Sequence, residues 1–318
     1  MLQYEIPEIA LQELNRLEDA LDQRIPAKIV DRNLIIATWN LRAFGDVTRK
    51  WNSDKTDSPR RDYHSLEIIA RIIRRFDVIA LQEVKANIRA LRDMLKILGE
   101  EWSFILTDVT AGDAGNGERM AYLFDTRRIK LSGLASELVV PQEELDTIAP
   151  DALTKQFART PYAVSFRSKD TTFILVTLHI LYGSSAKDRI PELKAIADWM
   201  AHWAANVNSY DQNLIALGDF NVEKRGDLLH QTFISSGLFI PPDLAEVTRS
   251  IFDSSKFYDH IAWFSNRKGV PELSMRYLRG GNFDFLPFVF KSRELTPQQM
   301  SWMISDHYPL WAEFSMRK

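Results

Sequence analysis

Five hydrophobic runs of this 318-residue chain end abruptly in a residue able to bind a metal ion or a phosphate. ATWN ends at Asn40, IALQE at Glu83, LVTLH at His179, IALGDFN at Asp219 and Asn221, and ISDH at Asp306 and His307. Any one of these has an ordinary reading, a cap, a turn residue or a satisfied core histidine. The set has one coherent chemical meaning. Hydrolysis of a phosphodiester requires a hard cation held by carboxylate or amide oxygens. It requires donors for the phosphoryl oxygens and a base oriented by a carboxylate. Glu83, Asn40 and Asp306 suit the first task, Asn221 and the histidines the second, and His307 with an Asp partner the third.

Such residues must be carried by elements that end together. Asn33–Trp39 and Asp77–Gln82 read as buried strands on either side of a helix over Asp62–Arg75, a β-α-β order that predicts neighbouring strands joined by a crossover. Lys85–Leu98 has helical period. Met120–Phe124, Tyr162–Arg167 and Thr172–His179 read as strands, the last two joined as a hairpin through Lys169-Asp170. Ile190, Leu193, Ile196, Met200, Trp203 and Val207 mark a long helix. Strands follow at Asn213–Leu217, His260–Phe264 and Leu310–Phe314. A crevice at the ends of core strands is what such an α/β arrangement offers a ligand. Ahead of it, Leu11, Leu14, Leu17 and Leu21 line one face of an amphipathic helix. That helix either packs on the main body or joins two copies.

Composition excludes several classes. Forty Lys and Arg against 43 Asp and Glu give a formal charge of −3, not the basic balance of a protein that coats nucleic acid. An enzyme with a local positive cleft is compatible with it. The chain has no cysteine, so disulfides, thiolate metal sites and cysteine nucleophiles are excluded. Its N-terminus is acidic and does not read as a signal peptide. No run approaches the ~18 apolar residues needed to span a membrane. A soluble chain without stable membrane association is expected, cytoplasmic rather than secreted.

The motifs TWNLRAFG, DVIALQEV, ERMAYLF, RTP, LVTLH, LGDFN, YDHI and ISDHYP occur in this order. In that order the chain resembles the endonuclease/exonuclease/phosphatase superfamily, and among its members deoxyribonuclease I. The resemblance runs from Asn33 to Phe314. It implies an α/β fold of two packed mixed β-sheets flanked by helices, a four-layer sandwich, with an N-terminal helical extension over residues 1–31 and the catalytic domain over 32–318. It implies a divalent-metal-dependent phosphodiesterase acting on DNA, with Mg²⁺ or Mn²⁺ held by Glu83, Asn40 and Asp306. It implies that Asp219 and Asn221 sit against the scissile phosphate and its water, and that His307 is base or acid with Asp259 fixing its tautomer. Glu118 and His179 match a second carboxylate–histidine pair. Arg42 and Arg159 match phosphate-contacting residues, beside Asn40. Which pair serves the water and which the leaving oxygen stays open. So do the same chemistry on another phosphoester (a monoester, a phospholipid head group or a DNA-end adduct) and a non-catalytic scaffold.

The chain departs from deoxyribonuclease I in several places. Asn116 stands where that enzyme has a groove-binding tyrosine, and Lys85 replaces an arginine, keeping charge but losing the planar fork. His260 follows the YD of YDHI and reads as a packing residue or a support behind the site, rather than a catalytic one. From Arg42 to Asp62 there are six Lys or Arg and four Asp or Glu around Trp51. This is either a loop that tracks a polyanion while Trp51 stacks on a base, or a solvated strip. Phe283, Phe285, Phe288 and Phe290 alternate like a core strand, and Gly112–Gly117 reads as a flexible turn.

Overall fold

The computed structural model describes residues 4–110, 117–139, 159–180, 182, 186–205, 213–264 and 273–316. The departure at Asn116, most of the glycine-rich turn and the last expected helical position, Val207, lie outside them.

The helix α1 (Glu8–Arg24) leads into β1 (Asn33–Phe44), α2 (Tyr63–Ile73), β2 (Val78–Lys85), α3 (Arg89–Leu98), β3 (Trp102–Leu106) and β4 (Glu118–Asp125). Then come β5 (Lys130–Glu137), β6 (Tyr162–Ser168), β7 (Thr171–His179), a helix over Ala186–Ala205 and β8 (Leu214–Asp219). Short β9 (Leu238–Phe239) precedes β10 (Asp259–Phe264), β11 (Arg276–Asn282) and β12 (Leu310–Ser315). One six-stranded sheet runs β11-β12-β1-β2-β4-β3, the other β5-β6-β7-β8-β10-β9. Each has one parallel pair, β1 with β2 and β7 with β8, where a helix makes the return. The expected crossover and the β6–β7 hairpin are both present.

Alternation along the strands builds the layers. Leu34 and Ile36 of β1 enter the core between the sheets, with Val78, Tyr122, Leu175, Leu217 and Ile261. Ile35, Ala37 and Trp39 point the other way, under α1, α2 and α3. The helix Ala186–Ala205 covers the outer face of the second sheet. The result is the four-layer sandwich. Among the described residues no helix is long and apolar enough to cross a membrane.

Leu14, Leu17 and Leu21 of α1 are fully buried, each contributing roughly 1.5–3 kcal/mol, whereas Leu11 is exposed. The Glu13 carboxylate accepts the backbone N–H groups of Phe290 (2.6 Å) and Lys291 (2.9 Å), and lies 3.2 Å from His64 Nε2. The helix therefore packs on the rest of the chain.

Three expectations are corrected. Helical period at Lys85 loses to long-range pairing: Val84 and Lys85 continue β2 against Arg119 and Glu118, and α3 begins at Arg89. The phenylalanine string is core, but a 3₁₀ turn over Leu286–Phe288 interrupts it and no strand forms. The Arg42–Asp62 segment is solvated only in part: Lys50, Asn52, Asp54 and Lys55 are exposed, whereas Arg61 and Asp62 are buried. Asp62 caps α2 by accepting from Ser65 N, and it also accepts from Ser53 N and pairs with Arg293. The Trp51 ring stacks on His64 at 4.9 Å and lies 5.5 Å from Tyr4, so protein side chains already occupy the place proposed for a base.

Candidate active site

Strand ends converge at one pole of the sandwich. In register, Asn40 of β1 faces Gln82 of β2, and His179 of β7 faces Asp219 of β8, which faces Asp259 of β10. The two sheets are tied beneath this pole: Gln82 Nε2 donates to Thr177 Oγ1 (2.9 Å) and Thr38 Oγ1 (3.1 Å). Gly218 precedes Asp219 at φ +141°, where an added Cβ would meet the Leu178 carbonyl oxygen at 2.1 Å. Only glycine lets β8 approach β7 closely enough to set Asp219 beside His179.

Asp219 is the hub. Its Oδ2 accepts from Asn40 Nδ2 (3.0 Å) and lies 3.8 Å from His179 Nε2 and 4.0 Å from His307 Nε2. Its Oδ1 accepts from Asn221 N (2.9 Å), while Asn221 Nδ2 donates to the Ile180 carbonyl (2.6 Å). Behind each imidazole stands a carboxylate. His307 Nδ1 is 2.7 Å from Asp259 Oδ2, and His179 Nδ1 is 3.3 Å from Glu118 Oε2. All of these side chains are buried.

Burial works against a charge on His307, but Asp259, with Asp219 and Asp306, outweighs it and raises the imidazole well above its ordinary value. Burial likewise pushes Asp259 up to about 6, against the pull of His307. Burial would also raise Glu118, but His179, Arg159 and Lys85 overcome it and hold this carboxyl down to about 2. Lys85 Nζ is 2.8 Å and Arg159 Nε 2.6 Å from it.

A group whose folded value is depressed contributes stability above its unfolded value, here 4.5, and loses it as pH falls through the folded one. Glu118→Gln should therefore cost about 3 kcal/mol at pH 7, the scale for removing one partner of a buried ion pair. The cost should shrink steadily below pH 4.5. Urea unfolding of both proteins from pH 7 to pH 2.5 checks this, and a pH-independent difference would contradict it.

The remaining expected residues form the rim. The Glu83 carboxylate accepts from Ala43 N (2.8 Å). Arg42 Nη1 donates to Ser301 Oγ (2.7 Å) and lies 3.6 Å from Asp306 Oδ2, with the guanidinium 3.9 Å over the exposed Trp302 ring. Arg42 and Asp306 thus face each other. Arg159 serves Glu118 through Nε, while its buried Nη1 has no hydrogen-bond partner among the described residues. His260 sits apart as expected, against Phe220, Phe233 and Phe257, with burial driving its value well down.

The site has oxygen donors that fit a hard cation. Asn40 Oδ1 is buried without a hydrogen-bond partner among the described residues, and Glu83 stands on the neighbouring strand. An orphaned buried carbonyl oxygen is costly unless something binds it. The tight group Asp219, Asp259 and His307, with ligand-type atoms within 4.8 Å of one another, is less suited, because Asp259 already engages His307 Nδ1.

Several supporting residues carried no sequence signal. Ser305 Oγ donates to the Asn40 carbonyl (2.5 Å) and accepts from His307 N (3.0 Å). Arg61 is fully buried and donates to the carbonyls of Arg42 (2.7 Å), Ala43 (3.1 Å), Met303 (3.0 Å) and Ile304 (3.1 Å). Burial lowers it to about 10, against the raising effect of Glu83 and Asp62, so it remains charged at neutral pH. Arg249, also buried, donates to the Asp259 carbonyl at 2.7 Å.

The family model described as Endonuclease/Exonuclease/phosphatase family matches residues 37–307. A deoxyribonuclease of Thioalkalivibrio sp. (strain K90mix) is 29% identical over 297 residues, covering 89% of this chain and 71% of that protein. Deoxyribonuclease-1 of Bos taurus is 25% identical over 293 residues, covering 87% and 91%. Among solved structures, an endonuclease/exonuclease/phosphatase family protein from Bacteroides thetaiotaomicron superimposes with a TM-score of 0.59 at 21% identity, over 90% of this chain and 98% of that one.

Proposed function

The chain belongs to the endonuclease/exonuclease/phosphatase family and is a phosphodiester hydrolase, and on that premise we propose that its substrate is DNA, nicked by in-line attack of water between two carboxylate-backed imidazoles. The observation that carries this reading is the convergence of His179 Nε2 and His307 Nε2 on one oxygen of Asp219, at 3.8 and 4.0 Å. An acid and a base on opposite sides of one centre are what an in-line displacement needs.

In this reading Asp219 and Asn221 orient the water against the phosphorus. One imidazole takes a proton from the water as the new P–O bond forms. The other delivers a proton to the leaving oxygen as its P–O bond breaks. Asp259 and Glu118 hold the tautomers and stabilise each imidazolium. Arg159 Nη1, and Arg42 once released from Asp306, donate to the non-bridging oxygens. Glu83 and Asn40, with Asp306 at the rim, would hold Mg²⁺ or Mn²⁺, which supplies charge neutralisation at the phosphoryl group. DNA is favoured because the curated relatives are deoxyribonucleases. The exposed Trp302 beside Arg42 adds a stacking face next to a phosphate donor. Lys85, bonded to Glu118, supports the hydrolytic site and leaves groove reading to other residues.

The test is a substrate panel: supercoiled plasmid, abasic oligonucleotide, RNA, bis-p-nitrophenyl phosphate, a sugar phosphate monoester and sphingomyelin, each with Mg²⁺, Mn²⁺ or EDTA. Nicking of the plasmid with either cation, abolished by EDTA, is the expected result. Turnover confined to the monoester or the lipid would remove DNA and keep the chemistry. Silence of the folded protein on every substrate would leave a binding scaffold.

A further inference from the structure

The opposite pole of the sandwich holds a cavity of about 450 Å³. Asn33, where β1 begins, lines it. Asn40, seven residues along the same strand, stands in the acid–base cluster roughly 23 Å away. Lys28, Arg127, Arg128, Lys130, Arg167 and Lys169 line the cavity against two carboxylates, Asp31 and Asp125. Six cations against two acids leave a surplus of four positive charges. Counting Asp77, buried behind and paired with Arg128, the surplus is still three. The whole chain carries −3, so this concentration runs against the composition.

Part of the charge is held in place. Asp125 Oδ2 receives Lys28 Nζ (2.8 Å) and Arg127 Nη2 (2.7 Å), and Arg128 Nη2 donates to the Asn33 carbonyl (2.6 Å). Part has nothing to offset it. Lys130 stands directly across from Arg167 in the β5–β6 ladder, and among the described residues neither pairs with a carboxylate. Like charges in that position destabilise a sheet.

We propose that this cavity is a second ligand site, taking a small polyphosphate anion whose clustered phosphoryl groups lie against the Lys130–Arg167 pair. The volume suits a small molecule, and cations already fixed by buried acids lower the cost of binding. Among the described residues the lining includes no aromatic ring, so recognition falls on the phosphoryl groups and not on a base.

Inorganic pyrophosphate is the probe, titrated calorimetrically into the full chain in EDTA so that metal-dependent hydrolysis plays no part. Binding is expected to weaken at least about tenfold in Lys130→Gln/Arg167→Gln, the loss of two charge-assisted contacts. It should be unchanged in Arg42→Ala/Arg159→Ala. Without ligand the Gln pair should melt no lower than wild type, since a repulsion is gone, and pyrophosphate should raise the melting temperature of wild type by more than that of the Gln pair. Equal affinity in wild type and the Gln pair would overturn the proposal. So would loss confined to the active-site arginine pair, or absence of both heat and melting shift. If the Gln pair weakened binding of a short DNA duplex and left pyrophosphate unaffected, the surface would belong to a nucleic-acid backbone and the small-anion proposal would fail. Plasmid nicking by the Gln pair should stay at the wild-type rate, which separates this result from the fate of the proposed nuclease activity.

Discussion

His307→Ala should lower the rate of plasmid nicking by about 10²–10⁴-fold, the usual contribution of a positioned acid or base, and leave a folded protein. The ring contributes chemistry through Nε2, directed at Asp219, and orientation through Nδ1, bonded to Asp259. Its removal strands Asp259 in the interior. Burial already raises that carboxyl to about 6 while the imidazole opposes it. An acid whose folded value is raised contributes stability below its unfolded value and loses it as pH climbs through the folded one. The raised His307 imidazole contributes stability below its unfolded value that the variant also lacks, so the variant's deficit should be present at pH 5 as well as at pH 8. Nicking assays and denaturant unfolding at both pH values check the two halves. Wild-type nicking by the variant would remove His307 from the mechanism. The absence of any deficit at both pH values would show that loss of the ring strands no buried acid.

That these polar residues share one pole was readable because buried strands announce their ends. A run such as IALGDFN changes from apolar to polar where the sheet core stops, and the parallel neighbours β7 and β8 stop at the same level, which sets His179 beside Asp219. The role of Gly218 was not legible, because the close approach of β8 to β7 that excludes a Cβ shows only in the fold. The edge strands β3, β5 and β11 were not legible, because half-exposed edges dilute the alternation that marks a strand. Nor were the buried cations. Arg61 and Arg249 bond backbone carbonyls, which carry no side-chain identity and leave no mark in the sequence of the partner. The Trp51 segment misled because its charges pair inward: Asp62 with Arg293, and Arg49 with Asp93 on α3.

Glu83 is the residue where backbone and chemistry pull in opposite directions, and two substitutions there should separate them. It adopts φ +60°, and Ala43, whose N–H its carboxylate accepts, adopts φ +47°. Neither is glycine, so both sit in a region that costs an L-residue about 1–2 kcal/mol. The carboxylate–N–H bond, in a segment clamped by Arg61, offsets part of that cost and fixes the acid on β2, next to the strand that carries Asn40. Glu83→Ala removes the carboxylate and keeps the strained backbone. Glu83→Gly removes both. Each should lose at least about a hundredfold in nicking, as expected for loss of a principal cation ligand, and should need far more Mg²⁺ or Mn²⁺ for any residual rate. Their stabilities should diverge, the glycine variant unfolding about 1 kcal/mol later than the alanine variant despite glycine's greater freedom when unfolded. Metal titration of the nicking rate and urea unfolding of the three proteins measure both quantities. Unchanged cation dependence would remove Glu83 from the metal site. A glycine variant less stable than the alanine one would show that the left-handed turn at the end of β2 stores no strain.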